Sequence, residues 1–195
     1  ILFSLAPSTF AQTLEEVVVT AQIREQSLQD VPISVSAIDG EAIEDRSVDN
    51  LQSLSASVPN FYVAETQIDT SISIRGVRSG ANKGFEQSVP LNFDGITYPR
   101  SQLARTPLVD LQRVEVLRGP QPTLFGKNAV GGVVSVTSAK PTDEFEGKFS
   151  TSHESEHDES QSLLVLSGPL SDNLLGRLTI STREMDGWIT NQRMK

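Results

Sequence analysis

Cysteine is absent from the chain, which excludes disulfides, a thiolate nucleophile and any cysteine-based zinc site. Histidine is nearly as scarce, with two in 195 residues. Neither a Ser-His-carboxylate nor a paired-carboxylate constellation emerges, so no catalytic residue is assigned. Basic charge is in deficit: 16 Lys and Arg against 25 Asp and Glu give a net charge of -9. That balance leaves no overall footprint for nucleic acid phosphates, and no nucleic-acid partner is expected. Long apolar runs are missing too, since none approaches the ~18 residues of a membrane helix. Any membrane entry would have to be as a β-barrel. What remains is 37% hydrophobic and 21% charged, enough for one domain of ordinary size and a remainder.

The opening ILFSLAPSTFAQ is a short apolar stretch that runs into Thr9-Phe10-Ala11, with small residues where a signal peptidase favours them. Residues 1–11 are therefore expected to be the tail of a signal peptide, with the mature chain starting near Gln12. LEEVVVTAQ follows, placing Glu15 and Glu16 before Val17, Val18, Val19 and Thr20. Three consecutive valines favour extended backbone, yet the polar IREQSLQD comes next and no sheet is evident. Such a strand either opens the domain's own sheet or adds to the edge of a partner's sheet.

From Val31 the pattern becomes that of a compact mixed domain. VPISVSAI is extended, and Asp39 is placed to cap a short helix running through Arg46. Val48, Leu51, Leu54 and Val58 recur at helical spacing, and Pro59 closes that element. FYVAE and SISIRG read as strands, and Asp94-Gly95 between LNF and ITY marks a two-residue hairpin. Short strands and short helices alternate without βαβ regularity, which points to an α+β class.

VEVLRGPQPTLFGKNAVGGVVSV invites comparison with a phosphate-binding loop, and fails it. Gly119 and Gly126 are separated by six residues, Gln121 stands where the first glycine is required, and Asn128 replaces the magnesium-binding hydroxyl. Pro120 and Pro122 also remove amide donors. The same residues describe a strand end, a tight turn at Gly126 and a close backbone approach at Gly131-Gly132.

Taken in order, EEVVVTA, ISIRGV, LNFDGITYP and LQRVEVLRGPQPTLFGKNAVGGVVSVTSAKP resemble the TonB box and plug domain of a TonB-dependent outer-membrane receptor, over roughly Leu14 to Pro141. The resemblance implies an α+β plug, a mixed sheet with short helices, seated in a barrel of about 22 strands. It implies residues 12–30 as box and linker, 31–141 as plug and 142–195 as the start of a barrel continuing beyond this chain. Glu15, Glu16, Val17, Val18, Val19 and Thr20 would bind TonB, which pulls on the box and remodels the plug to admit a scarce nutrient. Arg75 of IRG and Arg118 of LRG, with Glu115 in the same motif, would form a lock between plug and barrel. Arginine suits that task because its planar fork engages carboxylates bidentately and keeps its proton. Apical loops would carry Arg78, Lys83, Tyr98, Arg100 and Arg105 to the ligand. With four positive charges against Glu86, that surface favours an anionic cargo, a ferric siderophore above all. A carbohydrate or other non-iron nutrient is the alternative cargo, and a non-transporting outer-membrane barrel protein the alternative reading. No cofactor is implied; the partners are TonB, outer-membrane lipid of a Gram-negative cell and the small-molecule ligand.

The remaining residues can be weighed independently. In Leu174 to Arg183, Leu174, Leu178 and Ile180 fall on one strand face and Arg177, Thr179, Ser181 and Arg183 on the other, as in a transmembrane barrel strand. GPLSDN before them reads as a short periplasmic turn, TDEFEGKFSTSHESEHDES as a loose acidic segment, and about three strands fit in all. His153 and His157 are four apart, but in a strand or loop that spacing sets no ligand geometry and no metal site is assigned. Trp188 is expected in an interfacial aromatic girdle.

Overall fold

The computed structural model describes residues 18–19, 26–27, 32–65, 70–79, 84, 86–155 and 158–186. Of the expected box, Glu15, Glu16, Val17 and Thr20 lie outside these residues, as do Lys83, His157 and Trp188. β1 (Val18–Val19) pairs antiparallel with β2 (Gln26–Ser27) in a two-stranded ribbon of its own.

β3 (Ser34–Asp39) leads into α1 (Gly40–Asp45), where the Asp39 carboxylate accepts from the Ala42 amide at 2.7 Å and Arg46 closes the helix. α2 (Leu51–Ser55) is capped by Asn50, whose side chain accepts from the Ser53 amide at 2.8 Å. Each cap supplies an acceptor to a first-turn amide that the helix cannot satisfy itself. Val48, Leu51, Leu54 and Val58 are all buried, so the helical spacing read from the sequence is the inward stripe.

β4 (Phe61–Glu65), β5 (Thr70–Ile74) and β6 (Val77–Arg78) form a small antiparallel sheet. β7 (Leu91–Phe93) and β8 (Ile96–Tyr98) follow, joined by Asp94-Gly95 with φ of 48° and 85°, the positive values such a hairpin needs. A 3-10 turn (Ser101–Arg105), β9 (Leu111–Arg118), α3 (Pro122–Phe125) and β10 (Gly132–Ser138) complete the domain. The main sheet has the order β3-β9-β10-β7-β8, antiparallel except for β7 beside β10.

Strand alternation divides that sheet into two covered faces. Val114, Val116, Val134 and Val136 pack with the helices and the small sheet around Phe61, Ile72 and Ile74. Leu117 and Val133 pack on the other side with Phe125, Ala129 and Ile33. Gly132 lets the two central strands meet: at φ 146°, a Cβ there would stand 2.2 Å from the Leu117 carbonyl oxygen. Gly119 (φ 94°) ends β9 and Gly126 (φ 91°) turns the chain after α3, so VEVLRGPQPTLFGKNAVGGVVSV is a corner in a sheet.

Past Pro141, β11 (Glu146–Glu154), β12 (Glu159–Ser171) and β13 (Leu174–Glu184) make an antiparallel meander. Two expectations are corrected here. The acidic segment is largely strand β11, and β12 runs on through Gly168, Pro169 and Leu170, leaving only Asp172 and Asn173 as the turn. Pro169 is accommodated because the register shifts between it and Ser171, where no ladder donor is required. Phe149, Leu164 and Ile180 align across the three strands, with Leu166 and Leu178 in the next outward row. Phe149 is 71% exposed and Leu178 55%, an apolar face with nothing packed on it among the described residues. Lys148, Val165 and Thr179 align on the opposite face, turned toward the domain. No described helix is long and apolar enough to cross a membrane.

Candidate functional site

Arg75 and Arg118 are brought together by the Pro59-Asn60 turn that follows α2. The Arg75 amide donates to the Asn60 carbonyl at 2.9 Å, with Arg75 at φ 52° and Asn60 at φ 58°. Arg118 donates from Nε to the Pro59 carbonyl at 3.3 Å, from Nη1 to Ser34 Oγ at 3.1 Å and from Nη2 to Ser36 Oγ at 2.6 Å. Burial, and then the positive field of Arg75, lower the Arg118 pKa. A guanidinium stays charged at any working pH, so the pair holds a concentrated positive potential, and among the described residues neither arginine has a carboxylate partner.

Glu115 is not at that surface, which corrects its grouping with the two arginines. It is fully buried and lies 3.0 Å from Arg113 Nε, two residues back on the same face of β9. Its neighbours in register are Ala37 and Ser135. The carboxylate is committed to an internal pair because the main sheet is covered on both faces.

A second charged cluster joins the domain to the meander. Asp110, at φ 52° just before β9, accepts from Arg177 Nε at 2.8 Å and Nη2 at 2.5 Å, and from the Thr179 hydroxyl. Arg177 Nη1 also donates to the Lys140 carbonyl at 3.3 Å. Burial opposes ionisation of Asp110, but the hydrogen bonds from Arg177 and Thr179 and the fields of Arg177 and Lys148 outweigh it and hold the carboxyl below its ordinary pKa. Lys148 on β11 pairs with Glu44 of α1, and a cleft of about 280 Å³ beside these bridges is lined by both polar and apolar side chains, among them Glu44, Asp110, Lys148, Val48, Leu108 and Leu163.

The loops expected at the apex are only partly assembled. Arg78 and Arg100 are exposed and carry no ion pair among the described residues. Arg105 donates from Nε to Thr70 Oγ1 at 3.0 Å and lies 3.9 Å from Glu65. Tyr98 is half-buried, edge-on to Phe93 with ring centroids 6.3 Å apart. Glu86 is taken up by Lys127 at 3.8 Å and by the Asn128 amide. Counting charges along the chain had omitted Glu65 and Lys127, which only the fold brings in.

A family model of the TonB-dependent receptor plug domain matches residues 27–133. The chain belongs to the TonB-dependent receptor family. It is 33% identical over 196 residues to the iron-regulated outer membrane virulence protein of Vibrio cholerae serotype O1, an alignment covering 92% of this chain and 30% of that protein. It is 31% identical over 162 residues to the pesticin receptor of Yersinia enterocolitica, covering 82% and 24%. Among solved structures, the ferric yersiniabactin uptake receptor FyuA from Yersinia pestis matches with a TM-score of 0.69 at 31% identity, over 76% of this chain and 24% of that one. The chain thus spans less than a third of the length of these relatives.

The plug model matches residues 27–133, and β11 to β13 follow it as the antiparallel strands that open the barrel wall. The Asp110-Arg177 and Glu44-Lys148 bridges therefore tie plug to wall with carboxylates on the plug and cations on the wall. Sequence reasoning placed Arg177 and Thr179 on the correct face but missed their partners. One signal was available: an arginine facing inward from a barrel strand needs an anion opposite it.

Proposed function

We propose that this chain is the energy-coupled and gating end of an outer-membrane receptor that imports an anionic ferric siderophore, binding its cargo without transforming it. The single observation that carries this reading is the series of ribbon, plug and outward-apolar strands in one chain, on a sequence similar to iron-regulated and ferric siderophore receptors. Val17 to Thr20 bind TonB by strand addition, and among the described residues β2 is the one strand paired with β1. Arg75 and Arg118 hold the plug against carboxylates of the wall, and Arg78, Lys83, Tyr98, Arg100 and Arg105 meet the ligand.

Exposed Arg78 and Arg100 act on an anion through a screened field, so their main effect is on association. Reversing Arg100 and Arg105 to glutamate is expected to slow capture of the ferric complex, with the loss shrinking as salt rises. Arg100 should carry the larger share, because Arg105 already faces Glu65. Stopped-flow binding at several ionic strengths reads this directly. A receptor-deletion strain grown on iron sources, carbohydrates and cobalamin, with and without the double reversal, tests the cargo. A defect confined to a neutral sugar, with every iron source still used, would reject the siderophore.

A further inference from the structure

Two of the three residues that hold Arg118 belong to β3, the first strand of the main sheet after the β1–β2 ribbon. Among the described residues β3 is an edge strand paired with β9 alone, and their pairing begins at Ser34 opposite Arg118 and continues through Ser36 opposite Val116. Ser34 and Ser36 share a face, two residues apart, and their hydroxyls receive Nη1 and Nη2 of the one guanidinium, while its Nε is held by the Pro59 carbonyl. Arg75 is anchored by its amide to the next carbonyl, that of Asn60. Three acceptors thus fix one cation beside another of the same sign, and two of the three sit on a strand that can leave.

We propose that Ser34 and Ser36 are positioning residues that tether Arg118 to the box-linked strand, so that withdrawing β3 releases this arginine and unfastens the plug. The inference rests on the reading of β1 as the end that TonB pulls. An edge strand opened from one end loses its ladder one pair at a time, and here the first pair to open is also the one whose side chain holds the guanidinium. Once both hydroxyls are gone, the Pro59 carbonyl is the one acceptor left to Arg118 among the described residues, and the field of Arg75 pushes the freed guanidinium away. Charge-assisted hydrogen bonds are among the stronger polar contacts, so their loss is an effective release step. Tension is thereby converted into movement of a charge without any contact between TonB and the arginine itself.

The test uses the full-length receptor in planar bilayers without TonB, with leak conductance as the readout and ligand binding measured separately. Ser34→Ala with Ser36→Ala is expected to raise the leak at least about tenfold, the low end for losing one hydrogen bond to a charged group. Ser34→Thr with Ser36→Thr, which keeps both hydroxyls, should return it to the parent value. In an Arg118→Gln background the alanine pair should add nothing. An unchanged leak, failure of the threonine pair to restore it, or an equal rise with and without Arg118 would overturn the proposal, the last by showing that the serines only stabilise β3. Failure of the transport reading would appear separately, as absent energised uptake by the unmutated receptor.

Discussion

Replacing Asp110 with alanine is expected to loosen the plug from the barrel wall by about 3 kcal/mol, the low end for breaking an enclosed ion pair. The Asp110 and Arg177 side chains keep 12% and 18% of their exposure, so solvent does little to replace the lost partner. Among the described residues Arg177 would keep the Lys140 carbonyl as its hydrogen-bond acceptor and the more distant fields of Glu146 and Glu44, and Thr179 would lose the Asp110 acceptor. At about 1.4 kcal/mol per factor of ten, amide exchange in the start of β9 should speed up by roughly two orders of magnitude. The reversed pair, Asp110→Arg with Arg177→Asp, should recover part of the loss, since the bridge has one charge of each sign whichever side bears it. The acid response follows from the lowered Asp110 pKa. Its contribution is fully present above the unfolded carboxylate value near ~3.9 and is lost as pH falls through the folded value. Plug seating should therefore be constant from neutral pH down to mildly acidic pH and weaken only below that range.

Proline at Val18 is expected to abolish energised uptake while leaving surface binding of the ligand intact. Val18 pairs with Ser27 in the ribbon, and proline there removes a main-chain donor and restricts φ in the segment assigned to strand addition. No wall or apical residue is involved, so affinity at the cell surface should not move. Uptake and binding measured on the same cells separate the two, and unimpaired uptake would show that Val17 to Thr20 is not the coupling strand.

Features decided by near neighbours were legible in the sequence. Asp39 before α1, Asp94-Gly95 between β7 and β8, and Gly126 after α3 each act within a few residues, and each does what its chemistry predicts. The alternation of β13 was readable because five polar and apolar choices repeat without interruption. β11 was not, because its plug-facing side is polar and its outward side offers only Phe149 among Gly147, Thr151 and His153. Glu115 alternates with Val114 and Val116 as a solvent-facing residue would, and only the covering of the second sheet face buries it. The Asp110-Arg177 bridge joins residues 67 apart in the chain, and no spacing rule reaches across that distance. Arg118 could be singled out, but its serine partners on β3 lie 82 and 84 residues away and became visible only with the register.

The central claim is tested most directly by accumulation of radiolabelled iron, supplied as ferric siderophores, in cells expressing the full receptor with TonB present or deleted. Label should bind to both sets of cells and enter only those with TonB. Equal accumulation without TonB, or no accumulation of any ferric complex while a neutral nutrient is taken up, would contradict it.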